Sequence, residues 1–101
     1  MCSHLVRLRA EGASRPPEWA NLEEIDAFGA VVAAQQAWPT QIEVRIQAEG
    51  FDAPAYIQSC REREGDFALT VEFRSGFRWS EQKWKPDHAY DPPAKAKGAG
   101  A

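Results

Sequence analysis

The chain has 101 residues, which is enough for one small domain and too few for two. Hydrophobic residues make up 44% of it and aromatic residues 11%, a composition typical of folded globular proteins and not of disordered ones. Twelve basic side chains stand against 15 acidic ones, for a net charge of −3. We therefore expect no nucleic-acid partner, because neutralising a phosphate backbone requires a basic surface.

The N-terminal sequence and the cysteine content bear on location. Arg7 and Arg9 lie where a secretion signal would have an apolar run. The longest uncharged stretch, residues 27–42, is shorter than the roughly 20 apolar residues of a membrane-spanning helix. Cys2 and Cys60 are the only cysteines, too few for the disulfide framework of a small secreted domain. These features predict a cytoplasmic protein with no membrane span.

The first half of the chain contains three candidate strands. His4–Ala10 alternates weakly between apolar and polar side chains. Residues 18–26 could form a strand or a short helix; we favour a strand, because the two prolines before it suit an extended chain. Gly29–Ala34 is a short apolar strand that ends before a loop containing a Trp-Pro turn.

The second half alternates more clearly. Residues 41–48 and 67–74 both place apolar side chains at every second position, which predicts half-buried strands. Residues 55–61 form a further strand that begins after a proline and joins the next strand through a hairpin loop at 62–66. The predicted core includes six side chains of the two clearest strands: Ile42, Val44, Ile46, Leu69, Val71 and Phe73.

Six short strands at this spacing predict an all-β fold, an antiparallel barrel or sandwich. After the last strand, Ser80 can cap a short helix over residues 80–85, and Pro86 would end it. We therefore predict a barrel domain with a C-terminal helix over residues 1–91. Residues 92–101 are small and polar and are predicted to be a disordered tail.

Residues that could support catalysis or bind a metal are few. The two histidines, His4 and His88, lie in no recognisable local motif, and Cys60 has the setting of a small packed thiol. Cys2, His4, Cys60 and His88 could in principle surround zinc, but no close-spaced ligand pair is present. A small metal-dependent or Cys/His enzyme is thus the third hypothesis, and we expect no catalytic residue, metal or cofactor.

Two late tryptophans suggest a contact surface. Trp79 and Trp84 are five residues apart, so on one helix they would face different sides. One of them would be exposed next to basic side chains, which suits an anchor for a partner protein. The alternative is that both cover an open end of the barrel. The predicted partner-binding residues are Arg78, Trp79, Lys83 and Trp84, with Lys85 beside them.

Residues 21–73 resemble a PilZ domain. The resemblance is carried by FGAVV at 28–32, QIEVRI at 41–46, AYIQSC at 55–60 and GDFALTVEF at 65–73. It implies a six-stranded antiparallel barrel, often with a terminal helix, and a role in bacterial signalling. Many PilZ domains are receptors for cyclic di-GMP.

The ligand signature of that family has two parts, and the chain departs from both. Arg7 and Arg9 lack the Arg-x-x-x-Arg spacing that the family has before its first strand. The [Asp/Asn]-x-Ser-x-x-Gly turn aligns with residues 24–29, where Asp26 stands at the serine position and only Gly29 is kept. A tight turn with positive φ would also use a glycine there, so Gly29 indicates the fold more than the ligand.

Two functions within this family are therefore open. The favoured one is a non-catalytic binding or adaptor module for another protein, with weak or no cyclic di-GMP binding. Glu23, Glu24 and Asp26 would repel the phosphates of the dinucleotide, at about 1 kcal/mol for a carboxylate about 4 Å away in water and about 4 at an effective dielectric of 20. The alternative is a cyclic di-GMP receptor with substitute arginines, whose binding residues would be Arg7, Arg9, Asp26 and Gly29.

Overall fold

The computed structural model describes residues 4–12, 15–80 and 82–84. Within these ranges the chain forms six β-strands: β1 His4–Ala10, β2 Glu18–Ile25, β3 Gly29–Ala34, β4 Glu43–Ala48, β5 Phe51–Arg63 and β6 Asp66–Phe73. All neighbouring strands are antiparallel.

The strands close into a barrel in the order β1-β2-β3-β6-β5-β4, and β4 returns to pair with β1. Leu8 lies opposite Ile46 and Ala10 opposite Val44 along this closing seam. The predicted six-stranded antiparallel barrel is thus confirmed. Closure satisfies the backbone hydrogen-bonding groups of both outer strands and leaves the side chains of the barrel wall to make contacts with other molecules.

Alternating side chains of every strand fill the interior. Five of the six predicted core residues are buried, and the prediction was wrong for Ile42, which is half-buried at the margin of the core. The reason is local: Gln41 has a φ of 66°, which breaks the extended backbone, so β4 begins at Glu43 and not at residue 41. The interior is packed by apolar side chains, most of them aliphatic, and has no buried polar or charged residue among those described.

The strand predicted at 55–61 is longer than expected. β5 runs from Phe51 to Arg63, and Pro54 lies inside it, where its carbonyl accepts a hydrogen bond from the backbone N–H of Arg74. A turn at Gly65, with a φ of 93°, closes the predicted hairpin to β6. The register with β6 shifts between Ile57 and Ser59, a bulge of the kind that lets a small sheet bend into a barrel.

The segment after β6 crosses one end of the barrel. Of the helix predicted over residues 80–85, the structure describes residues 80 and 82–84, and these form a turn in which the N–H groups of Lys83 and Trp84 donate to the Ser80 carbonyl. The remainder of that helix and the predicted tail at 92–101 lie outside the described residues. Within the described ranges no helix has the length and apolar character needed to cross a membrane.

Candidate functional site

Three large apolar side chains lie exposed on the outer wall of the barrel. Leu5 and Phe28 are each 60% exposed and Trp19 is 55% exposed. Because the interior of a barrel this small is filled by its own side chains, a ligand or partner would bind on its outer surface. These residues divide into two surfaces, one around Phe28 and one around Trp19.

Phe28 is held outward by the turn between β2 and β3. The Asp26 carboxylate accepts hydrogen bonds from the backbone N–H groups of Phe28, at 2.8 Å, and Gly29, at 2.9 Å. Asp26 N–H in turn donates to the Gly29 carbonyl. The carboxylate therefore fixes the turn, in the manner of an Asx turn, and presents the Phe28 ring to solvent.

The expected reason for Gly29 was wrong. Its φ is not in the positive range, unlike that of Gly65. A Cβ atom at position 29 would instead lie 2.3 Å from the backbone oxygen of Val71 on β6. Glycine is required because β3 approaches β6 too closely for any side chain.

A cleft of about 340 Å³, here called the Phe28 cleft, lies beside that ring, and its lining residues are Phe28, Tyr56, Glu72, Phe73, Arg74, Ser75 and Arg78. The Arg78 guanidinium carbon is 4.8 Å from the centre of the Phe28 ring. Arg74 makes a long ion pair with Glu43, at 3.7 Å. Two arginines four residues apart thus line one cleft together with Phe28, which belongs to the turn compared above with the second half of the family signature.

An acidic hollow of about 390 Å³ adjoins the Phe28 cleft and also has Phe28 in its lining. Glu24, Asp26 and Glu72 contribute carboxylates to its lining, together with Gln58 and Thr70. Phe28 and Glu72 line both the cleft with the two guanidinium groups and this acidic hollow, so the two surfaces adjoin at these residues.

The second surface lies on the outer side of β1 and β2 and is here called the Trp19 face, made of Leu5, Arg7, Arg9 and Trp19. Arg7 is directly opposite Trp19 in the strand register, and its guanidinium carbon lies 4.8 Å from the centre of that ring. A hollow of about 310 Å³ opens beside these side chains, and its lining residues are His4, Leu5, Arg7, Trp19, Gln47, Ala48 and Glu49.

The four residues proposed for cyclic di-GMP do not come together. Arg7 is opposite Trp19, and Trp19 is seven positions before Asp26. At about 3.3 Å per residue this separation is roughly 20 Å along the strand, and Arg9 is farther still. Asp26 and Gly29 form one turn, whereas the two arginines belong to the Trp19 face.

The predicted partner-binding tryptophans cover an end of the barrel. Trp84 stacks on Phe51, with ring centres 4.1 Å apart, and its indole N–H donates to the Glu49 carbonyl at 3.1 Å. The Trp79 indole N–H donates to the Trp84 carbonyl at 2.8 Å. Both rings are half-buried against the core. This arrangement corresponds to the alternative that the sequence left open.

The basic residues of that predicted surface are exposed but separate from the tryptophan rings. Arg78 lies over Phe28 and so belongs to the Phe28 cleft. Lys83 donates a hydrogen bond to the Arg78 carbonyl at 2.8 Å, and Lys85 lies outside the described residues. Arg78 is thus the member of the predicted set that stands beside an exposed aromatic ring.

Sequence reasoning missed the exposure of Trp19 and Phe28 and the position of Arg74. A signal for Arg74 was present, because Arg74 and Arg78 have the Arg-x-x-x-Arg spacing. It was passed over because these arginines follow the last strand, and the family signature precedes the first one. No comparable signal marks Trp19, whose exposure follows from its outward register position on β2.

Ion pairs neutralise other arginines of the wall. Hydrogen bonds from Arg63 to Asp66 and Glu23 tie the β5–β6 hairpin to β2, raise the pKa of Arg63 and lower the pKa of Asp66. Arg45 is bound in the same way by Glu11 and Asp52, which raise its pKa.

The zinc hypothesis can be compared with the structure at two of its four residues. His4 lies at the start of β1, with its ring centre 5.0 Å from that of Trp84 in an edge-to-face arrangement, and Cys60 is a half-buried free thiol on β5. Cys2 and His88 lie outside the described residues. Among the residues that the structure describes, no group of three His, Cys, Asp or Glu side chains could hold a metal ion.

Comparisons with protein-family models, with curated proteins and with solved structures find no match to this chain. The resemblance to PilZ domains therefore depends on the quoted sequence segments and stays a prediction. The barrel agrees with the fold that the resemblance implies, and other small barrels would agree with it as well.

Proposed function

We propose that this protein is a non-catalytic, PilZ-like binding module that acts in the bacterial cytoplasm and binds another protein through the outer wall of its barrel. One observation carries the proposal: Trp19 and Phe28 are both more than half exposed, and each lies under an arginine guanidinium. Cyclic di-GMP binding is weak or absent in this proposal.

The chemistry of these residues supports a protein partner. Tryptophan and arginine are enriched among the residues that contribute most to protein–protein binding, because they bury a large area and retain polar contacts. The guanidinium of Arg7 or Arg78 restricts the neighbouring ring, so less side-chain entropy is lost on binding. Strand β2, paired on both sides, supports Trp19, and the hydrogen bonds of Asp26 fix the turn that carries Phe28.

The test is affinity capture from an extract of the source cell, followed by identification of the bound protein. Wild-type protein should retain a specific partner, and Trp19→Ala or Phe28→Ala should reduce the captured amount at least tenfold. Gln36→Ala, at an exposed loop position, is the matched control and should capture as much as wild type. Equal capture by all four proteins, or no specific partner, would contradict the proposal.

A second candidate function is a cyclic di-GMP receptor in which Arg74 and Arg78, and not Arg7 and Arg9, replace the missing arginines. The observation that favours it is that the Arg-x-x-x-Arg pair and the aligned turn border one cleft. Each charge-assisted contact of an arginine with a phosphate contributes about 1.5–3 kcal/mol. Glu72, which lines the same cleft, opposes such binding.

Isothermal titration calorimetry with cyclic di-GMP separates the two candidates. The first predicts a dissociation constant weaker than about 100 μM, which corresponds to about 5.5 kcal/mol of binding free energy. The second predicts a low-micromolar constant that is lost in an Arg74→Gln, Arg78→Gln double variant and kept in an Arg7→Gln, Arg9→Gln double variant. The reverse pattern would instead support the receptor first considered from the sequence.

A further inference from the structure

We propose that the Trp19 face binds an extended acidic segment of the partner protein. In this segment one carboxylate lies two residues away from an apolar residue and a second carboxylate lies four residues away, on the same side. This inference rests on the proposed function and names the chemistry of the partner. It is carried by the spacing, the charge and the polarity of the side chains on β1 and β2.

The spacing comes from the strand itself. Leu5, Arg7 and Arg9 are exposed in alternation with buried Val6 and Leu8, so the three point outward in one row. Residues two apart on a strand are separated by about 6.6 Å. An extended peptide repeats its side chains at the same distance, so three side chains on one of its faces can meet all three outward positions. The barrel offers no free strand edge along β1, so contacts are made between side chains.

The two arginines of this row are not paired with carboxylates in the described part of the chain. Arg9 lies opposite Arg45 in the register, and Arg45 is bound by both Glu11 and Asp52. Arg7 and Arg9, by contrast, make no ion pair with any described residue. The chain as a whole is acidic, so these two guanidinium groups form a local positive site on a negative protein, complementary to carboxylates of a partner.

The hollow beside Trp19 decides where on the row the apolar residue of the segment lies. Leu5, Trp19 and Ala48 give it apolar walls with room for one apolar side chain. Glu49 also lines the hollow, and its carboxylate disfavours an acidic residue there. The hollow includes the Leu5 end of the row, whereas Arg9 lies toward the opposite end of β1. The apolar residue of the segment therefore lies at Leu5, and the carboxylates follow toward Arg7 and Arg9.

The experiment is fluorescence anisotropy of labelled synthetic peptides with the full-length protein. The first peptide has one leucine, with aspartates two and four residues after it and serine and glycine elsewhere. The second has the same composition with the two aspartates adjacent, and the third has asparagine in place of aspartate. At about 0.1 M salt the first peptide should bind at least tenfold more tightly than either control, and added salt should weaken it.

Protein variants locate the binding. Trp19→Ala and the double variant Arg7→Gln, Arg9→Gln should each weaken the first peptide at least tenfold. Arg61→Gln removes an exposed arginine from the part of β5 that pairs with β6, and it should leave binding unchanged.

Three outcomes would overturn the inference. Equal binding of all three peptides would remove the charge and spacing argument. No peptide binding, with Trp19-dependent binding to vesicles containing phosphatidylglycerol, would identify a membrane surface instead. A captured partner whose binding depends on Trp19 but whose contact segment is not acidic would contradict this inference and leave the proposed function intact. By contrast, failure of the wild-type protein to capture any specific partner would contradict the proposed function.

Discussion

Two pairs of aromatic residues in this barrel have opposite surroundings. Trp79 and Trp84 come from the segment after the last strand, and they are half-buried across an end of the barrel, with their indole N–H groups bonded to backbone carbonyls. Trp19 and Phe28 lie on the wall and at its turn, more than half exposed, with an arginine beside each ring. The first pair stabilises the fold, and the second pair is available to a partner.

The difference shows why neighbouring charge is a poor guide to exposure. Basic side chains flank Trp79 and Trp84 in the sequence, and this suggested a contact surface. The rings nevertheless cover apolar surface at the end of the barrel, where Phe51 would otherwise meet water. The flanking charges need only reach solvent, which long basic side chains do easily.

The largest effect should come from the core beneath both pairs. Val71→Asp places a carboxylate at a site that is 2% exposed and belongs to the apolar core. Burying an unpaired charge costs more than about 3 kcal/mol, a large part of the stability of a domain this size. We expect the variant to be unfolded, as judged by far-ultraviolet circular dichroism. A folded variant of near wild-type Tm would mean that the barrel is not closed around this residue.

A slightly smaller effect is expected at Gly29, which positions Phe28. Gly29→Ala would force β3 away from the Val71 carbonyl and should reduce the free energy of unfolding by about 3 kcal/mol, measured by urea denaturation. Gly12→Ala is the control, because a Cβ at position 12 meets no atom within 4 Å and only its positive φ is unfavourable. That control should lose about 1 kcal/mol. Equal losses would contradict the close-approach explanation.

The comparison of the two aromatic pairs is tested directly by truncation. Trp84→Ala should reduce the free energy of unfolding by about 2 kcal/mol, because the stacking on Phe51 and the hydrogen bond to Glu49 are lost. Trp19→Ala should cost less than about 1 kcal/mol, because its exposed ring loses mainly the contact with Arg7. The reverse order in urea denaturation would exchange the roles of the two pairs.

The smallest effect concerns the ion pairs that join strands of the wall. Arg63 lowers the pKa of Asp66 below its ordinary value of 3.8. The unfolded chain therefore binds a proton on Asp66 more readily, so this contribution to stability is present above pH 4 and is lost as pH falls through the lowered pKa. Asp66→Asn should flatten the decline of Tm with pH below about 4. An unchanged decline would show that the pair does not stabilise the fold.

The regular parts of this fold were predictable, and the irregular parts depend on contacts between distant residues. The alternation around Val44 and Leu69 identified β4 and β6, because a half-buried strand requires it. The half-burial of Ile42 depends on the positive φ of Gln41, which no local preference of glutamine indicates.

The candidate site was less predictable than the strands. Asp26 and Gly29 were placed correctly in one turn, but the reason for the glycine lies on β6, 42 positions from it at Val71. Arg7 was singled out for a site roughly 20 Å away, because strand pairing decides which outward residues become neighbours. No sequence motif surrounds Trp19, so its exposure was not predicted.

The central claim, that Trp19 and not the late tryptophans meets the partner, can be tested by nuclear magnetic resonance of the indole N–H groups. The chain has four tryptophans and so four indole signals, assigned by single substitutions to phenylalanine. Titration with the patterned acidic peptide should shift the Trp19 signal and leave those of Trp79 and the buried Trp38 in place. The Trp84 ring contacts His4 and Glu49, which line the hollow, so a smaller shift of its signal is expected as well. Shifts at Trp79 and Trp84 with an unmoved Trp19 signal would contradict the account.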